Sequence, residues 1–363
     1  MKELEFFYQN RPKLAKFLSR KQAITEPFCQ LYGASGSGKS TLMIEHLSHF
    51  KDDESLYFSL KDLRLDTQKT LLDLPDFLKQ NPQIKALYVD DISSDDELNA
   101  LAWLRNDALK SVVLGTQARL SVVQGFSELR LGYLDYEEFL AFYSKNIDES
   151  FSQFLERGGG MEAAFLSPFE LASKAQSRLR ANLDAIDIKI LVQCAKNCAS
   201  TLSVLAIYSE LKQELRLSKD RLYASFLALQ NRGYIATLAK LDEPNASKKI
   251  FFNDFSLRDR LVAKKDFLAS FKNMIFCELA KLNDEIYYTK DFDFVLLKRK
   301  TAILCMPFTQ PEIIFLKFKK LHKILKSLGL NRLQIISVAH AGTQSNEGIK
   351  CEIVPFSQWA LGL

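Results

Sequence analysis

The decisive stretch is Leu31–Met43, LYGASGSGKSTLM. Gly33 is followed by four residues and then by Gly38-Lys39-Ser40. Upstream, Phe28 to Tyr32 form a short, largely apolar run that reads as a buried strand. Downstream, Leu42, Met43 and Leu47 recur at helical spacing. Strand, glycine-rich turn and helix is the context in which G-x-x-x-x-G-K-S cradles phosphate. Small residues let backbone N–H groups converge on phosphate oxygens, and the helix N-terminus adds partial positive charge. The expected nucleotide-binding residues are Gly33, Ala34, Ser35, Gly36, Ser37, Gly38, Lys39, Ser40 and Thr41. Lys39 is expected to reach the β- and γ-phosphates of ATP, and Ser40 to ligate Mg²⁺.

Such a site needs a second strand ending in an acid. The run from Ile84 to Val89 is mainly apolar, and Asp90-Asp91 follow. Asp90 is expected at the metal. Asp91 stands where many ATPases place a glutamate that orients the attacking water. Aspartate is one methylene shorter, so slower hydrolysis is expected. Val112, Val113 and Leu114 read as a third strand, and Gly115-Thr116-Gln117 follow. A polar residue there can sense the γ-phosphate, with Thr116 or Gln117 as the candidate. Leu56, Tyr57 and Phe58 suggest one more strand. Strands alternating with helical segments argue an α/β fold built on a parallel sheet.

The whole chain has 363 residues, 47% hydrophobic and 26% charged, which suits two or three globular domains. No apolar run approaches a membrane span, and the N-terminus lacks signal-peptide character. The six cysteines are scattered. Cys194 and Cys198 read as core residues of a helix in a reducing compartment, so a cytoplasmic protein is expected. The net charge of +5 hides an asymmetry. Residues 1–150 carry 18 Lys/Arg against 23 Asp/Glu, whereas residues 296–332 carry 9 Lys/Arg against Glu312 alone. A basic C-terminal half fits a polyanion or an acidic partner there, or simply solvated lysines on helix faces.

Beyond the acid-ended strand come VVLGTQARL, LRLGYLDYEEFLAFY and FLERGGGMEAAF. In this order the chain resembles the prokaryotic AAA+-type ATPases often called archaeal-type ATPases. The resemblance covers most of the chain, and the P-loop is its sharply diagnostic part. It places Arg130, Glu137-Glu138-Phe139-Leu140 and Gly158-Gly159-Gly160 at the family's landmarks. It also implies an arginine that stabilises the transferring phosphate. Arg119 and Arg130 both compete for that role, and Arg130 has the family's position. Asp91 replaces the usual glutamate, and the loop GASGSGKS lacks the arginine common in the group.

Residues 184–255 read as three helices and a hairpin. Ser218 is a good N-cap for the third helix and Gly233 a good stop. This is the winged-helix pattern, with DNA expected to meet Lys219 and Arg221 on the third helix and Lys248 and Lys249 on the wing. Winged helices on such ATPases also serve as lids or protein contacts. The resemblance implies a last domain like a restriction nuclease. Glu278 and Asp293 fit two of its acidic positions, but Cys305 and Pro307 stand where Glu and Lys are required. Lys298 or Lys300 could migrate into the lysine's place. The expected organisation is an ATPase domain over 1–180, a winged helix over 181–262 and a degenerate nuclease-like α/β domain over 263–363. The expected function is ATP binding and hydrolysis with DNA. The alternative is a nucleotide-controlled switch or scaffold that binds a protein partner with little turnover.

Overall fold

The computed structural model describes residues 1–14, 19–105, 108–143 and 147–363. The chain divides into two compact bodies. One is Met1–Tyr133 with Asn231–Gly233, and the other is Leu134–Gln230 with Tyr234–Leu363. Among the described residues no helix is long and apolar enough to cross a membrane.

In chain order the first body contains α1 (Lys2–Gln9), β1 (Phe28–Tyr32), α2 (Lys39–Leu47) and β2 (Ser55–Ser59). Then follow α3 (Thr67–Gln80), β3 (Ala86–Ile92), α4 (Asp95–Asn99), β4 (Ser111–Thr116) and β5 (Ser127–Arg130). The strands form one sheet in the order β2-β3-β4-β1-β5, and every pairing is parallel. The α/β class and parallel sheet expected from the strand–helix alternation are therefore present. Helices cover both faces, which is why β4 is buried along its whole length and reads as a continuous apolar run. Leu74 and Phe77 of α3 pack with Leu87, Val89 and Leu114 on one face. Leu42, Met43 and Leu47 of α2 pack with Leu31, Tyr88 and Val113 on the other. β5 has no strong strand signal, because as an edge strand it presents only half-buried and exposed residues.

The second body opens with α5 (Tyr136–Phe142), α6 (Ile147–Arg157) and α7 (Pro168–Asn182). Next come α8 (Ala185–Lys196), α9 (Val204–Leu211) and α10 (Lys219–Asn231), then the antiparallel hairpin β6 (Ile235–Leu238) and β7 (Lys249–Phe252). The Ser218 hydroxyl accepts the Arg221 N–H and caps α10. Cys194 and Cys198 are buried in the core of this region.

After α11 (Leu257–Leu261) and α12 (Phe267–Leu279), the chain forms β8 (Ile286–Tyr287), β9 (Phe294–Leu296) and β10 (Thr301–Cys305). It ends with α13 (Pro311–Ser327), β11 (Arg332–Ser337), β12 (Gly342–Asn346), β13 (Ile349–Pro355) and α14 (Phe356–Leu361). The six strands lie in the order β12-β13-β11-β10-β9-β8. β10, β11 and β13 run parallel, flanked by antiparallel partners. Alternate residues sort to the two faces. Leu304, Leu333 and Ile353 meet Ile314, Phe318 and Leu325 of α13. Ile303, Cys305 and Ile336 share a second core with Phe271, Phe276 and Phe356.

Candidate functional site

The sheet of the first body delivers the candidate residues to the C-terminal ends of its strands, where ligands of open parallel sheets bind. β1 ends at Tyr32, and the Gly33 N–H donates to the Thr116 carbonyl of β4 (3.3 Å). Only glycine fits at 33, since a Cβ would sit 2.2 Å from the Leu131 carbonyl oxygen. Gly38, with φ of 97°, turns the chain into α2, which begins at Lys39. Arg20 braces the loop by donating to the carbonyls of Ser37 (2.8 Å) and Gly132 (3.0 Å). Tyr133 donates to the Ser35 carbonyl (2.9 Å).

Lys39 is 9% exposed. Its ammonium donates to the carbonyls of Gly33 (2.7 Å) and Ala34 (3.3 Å). Burial lowers its pKa, while Asp90 and then Asp91 oppose the shift. A buried cation whose hydrogen-bond partners are neutral carbonyls suits an anionic ligand. The Ser37 hydroxyl is buried in the same loop without a hydrogen-bond partner. Ser35 and Thr41 flank the loop and are half-buried, whereas Ala34 is buried.

Ser40, in the first turn of α2, donates to Asp90 Oδ2 (2.5 Å). Tyr57, from β2, donates to the same oxygen (3.0 Å). Burial, with Asp90 beside it, pushes the Tyr57 phenol well above its ordinary range and keeps it a donor. Asp91 adopts a φ of 59°, at a break in the β3–β4 register. Its carboxylate accepts from the Ser59 hydroxyl (2.7 Å) and lies 3.7 Å from the Lys61 ammonium. Lys39, Ser40, Asp90 and Asp91 thus form one constellation. Ser40 and Asp90 offer hard oxygens of the kind that hold Mg²⁺. Sequence reading missed Arg20, Tyr57, Ser59 and Lys61. The pairing of Ser59 with Asp90 across β2 and β3 brings Ser59 here, and no local pattern announces it.

Thr116 is buried at the end of β4, and its hydroxyl donates to the Ala118 carbonyl (2.7 Å). Arg130 is exposed at the end of β5 and pairs in register with Tyr32, beside the P-loop. Arg119 forms a fork with Glu128 (2.8 and 2.6 Å).

In the second body the four basic residues differ in exposure and pairing. Lys219 and Lys248 are exposed. Arg221 is paired with Asp184. Lys249 departs from the expected wing contact. Its side chain is 14% exposed, 3.8 Å from Asp293 and 4.8 Å from the Tyr288 ring centroid. Lys272 holds the same Asp293 oxygen at 2.6 Å, and the other oxygen accepts the Cys305 N–H (2.9 Å). Desolvation lowers the Lys249 pKa, against the pull of Asp293. Glu278 is buried elsewhere, accepting the Tyr136 N–H (3.2 Å) and pairing with Lys281 (3.5 Å), and burial raises its pKa. Among the described residues no group of three or more His, Cys, Asp or Glu side chains could hold a metal ion.

No protein-family model and no curated protein matches the chain. Among solved structures it is similar to a Walker-type ATPase of Pyrococcus abyssi, at 13% identity over 72% of this chain and 93% of that one, with a TM-score of 0.43. The ORC1 protein of Aeropyrum pernix, solved in complex with DNA, is 11% identical over 72% of this chain and 91% of that one (TM-score 0.36). AMPPCP-bound DnaA from Aquifex aeolicus is 16% identical over 56% and 81% (TM-score 0.28). Likenesses this distant leave the chemistry of the site to be read from its own residues.

Proposed function

We propose that this chain is an AAA+-like ATPase that binds and hydrolyses ATP with Mg²⁺ at the Gly33–Thr41 loop. The observation that carries the reading is the convergence of buried Lys39 and Asp90 with the exposed Ser40 at the ends of β1 and β3. In this reading Lys39 binds the β- and γ-phosphates. Ser40 and Asp90 would hold Mg²⁺, which when bound neutralises phosphate charge. Asp91 orients water, Thr116 monitors the γ-phosphate end, and Arg130 stabilises transferring charge. Turnover of ATP with and without Mg²⁺, and with and without duplex DNA, tests the reading. Metal-independent or absent turnover overturns its catalytic part.

Residues 181–262 act as a winged helix and residues 263–363 as a degenerate nuclease-like domain. Lys219, Arg221 and Lys248 are the DNA-facing cations, with Lys249 excluded by its buried pairing to Asp293. Reversing these three to Glu is expected to abolish non-specific binding at low salt and leave ATP affinity unchanged. Each basic side chain withdrawn from a phosphate flattens the dependence of log affinity on log salt by about 1. A charge-reversed variant that retains the wild-type slope removes these residues from the interface. A second reading, a switch that grips a protein, has its own support. The outer face of α10 presents Tyr223 (51% exposed) and Leu227 (57% exposed), which suit an apolar partner better than phosphates.

The last domain is proposed not to cut nucleic acid. Asp293 is already matched by two lysines, and Cys305 and Pro307 offer Mg²⁺ no oxygen side chain. Incubation with duplex and single-stranded DNA in Mg²⁺ or Mn²⁺ is expected to leave both intact. Cleavage that disappears in Asp293→Ala contradicts this.

A further inference from the structure

A cleft of about 500 Å³ opens on the C-terminal sheet, at the ends of β10 and β11 where those strands begin. Clefts of roughly 300–1,000 Å³ hold small molecules. Its lining mixes apolar side chains, Leu279, Leu296, Ile303, Val354 and Trp359, with the polar Arg299, Arg332, Gln334, Thr343, Glu352 and Gln358.

The polar side chains interrupt a core-facing pattern. Ile303, Ile336 and Phe294 belong to the buried core on this side of the sheet. Arg332 and Gln334 sit four and two residues before Ile336 on the same face of β11. Polar residues placed here cost burial energy that a closed core would not tolerate.

Its charges are unevenly matched. Glu352 is 9% exposed. Arg332 donates to one of its oxygens through Nε and Nη2 (2.5 Å each), and Lys350 holds the other oxygen. Burial pushes the Glu352 carboxyl up, but the hydrogen bonds from Lys350 and Arg332 outweigh it and keep the group ionised. Among the described residues the Arg299 guanidinium makes no hydrogen bond or ion pair. The nearby Asp284 carboxylate is spent on the backbone N–H groups of Glu285, Lys298 and Arg299. Within the lining, Arg299 and Arg332 therefore stand against one carboxylate, Glu352, a surplus of one positive charge. The Gln334 side-chain oxygen accepts the Trp359 indole N–H (3.3 Å), which leaves its amide N–H₂ as a further donor.

We propose that this cleft binds a phosphate monoester of nucleotide size, with the phosphate at Arg299 and Arg332 and the organic body against Leu279, Leu296 and Trp359. A phosphate monoester carries a charge of about −1.5 to −2 at neutral pH, opposite in sign to the surplus. Guanidinium groups recognise phosphate through paired N–H donors. The site is independent of the P-loop and of its proposed chemistry.

Trp103 and Trp359 are the two tryptophans, so Trp103→Phe leaves Trp359 as the reporter in the full chain. Titration with AMP is expected to change its emission saturably, and Lys39→Ala in the same background is expected to leave that response intact. Arg299→Gln removes an exposed, unpaired side chain and is expected to weaken binding at least about tenfold. Thr343→Phe, at the rim, is expected to fill the cleft and do the same. Equal binding of ribose 5-phosphate assigns the cleft to phosphate monoesters at large, and preference for AMP assigns it to nucleotides. A response lost in Lys39→Ala places AMP in the P-loop and overturns the proposal. So does unchanged affinity in Arg299→Gln, or no saturable response to either phosphate.

Discussion

Lys39→Ala is expected to lose ATP binding by roughly 100-fold, read by calorimetry with Mg-ATP. Charge-assisted hydrogen bonds are worth about 1.5–3 kcal/mol each. Losing about 3 kcal/mol in total corresponds to roughly 100-fold. The side chain is already inside the loop, bonded to the Gly33 and Ala34 carbonyls, so its ammonium needs only to exchange those neutral acceptors for phosphate oxygens. The same geometry separates binding from folding. Burial disfavours the ammonium form of Lys39, so Lys39→Met, which keeps the length and drops the charge, is expected to fold with no loss of thermal stability. A Lys39→Ala variant that hydrolyses ATP at the wild-type rate removes the nucleotide from this loop.

Asp91→Asn is expected to keep ATP affinity within a few-fold and to slow hydrolysis by about 10²–10⁴, the usual worth of a positioned general base. The backbone makes this substitution clean. Asp91 sits at φ 59°, a left-handed conformation that asparagine tolerates and that bulkier residues adopt only with strain. The Ser59 hydroxyl can still donate to the amide oxygen. A slow Asp91→Asn enzyme is therefore short of a base rather than misfolded. Asp91→Glu has the carboxylate but meets the strained backbone with a longer side chain, so it is expected to recover hydrolysis only in part. Wild-type single-turnover rates in Asp91→Asn remove this residue from the chemistry.

The parts of the site legible in the sequence are those built by neighbours along the chain. Glycines, Lys39 and Ser40 act within one turn and its helix, so their spacing carries their role. Asp90 is readable because a strand must deliver an acid to the same edge. Tyr57 and Ser59 are not readable, because their role follows from β2 lying beside β3 in a register that puts Ser59 opposite Asp90. Arg20 braces carbonyls of Ser37 and Gly132, and no short motif encodes such a contact. Lys249 shows the converse. Next to Lys248 in a basic hairpin it reads as solvent-facing, yet Asp293, distant in sequence, draws it inward. The strands of the sheet are legible where burial makes them continuously apolar, as in β4. β5 is not, since an edge strand with Ser127, Glu128 and Arg130 has no such run.

The Asp293 cluster also has a mechanical side. Its three charged residues come from the hairpin strand β7, the helix α12 and the segment that enters β9. One apolar core runs through the same region, joining Leu191 and Leu222 to Phe251, Phe276 and Ile303. The stretches 181–262 and 263–363 are thus cross-braced like two leaves of one laminate. Heat or denaturant is expected to melt both in a single cooperative step, read as one transition by calorimetry. A protease cut between them would release no free-standing half.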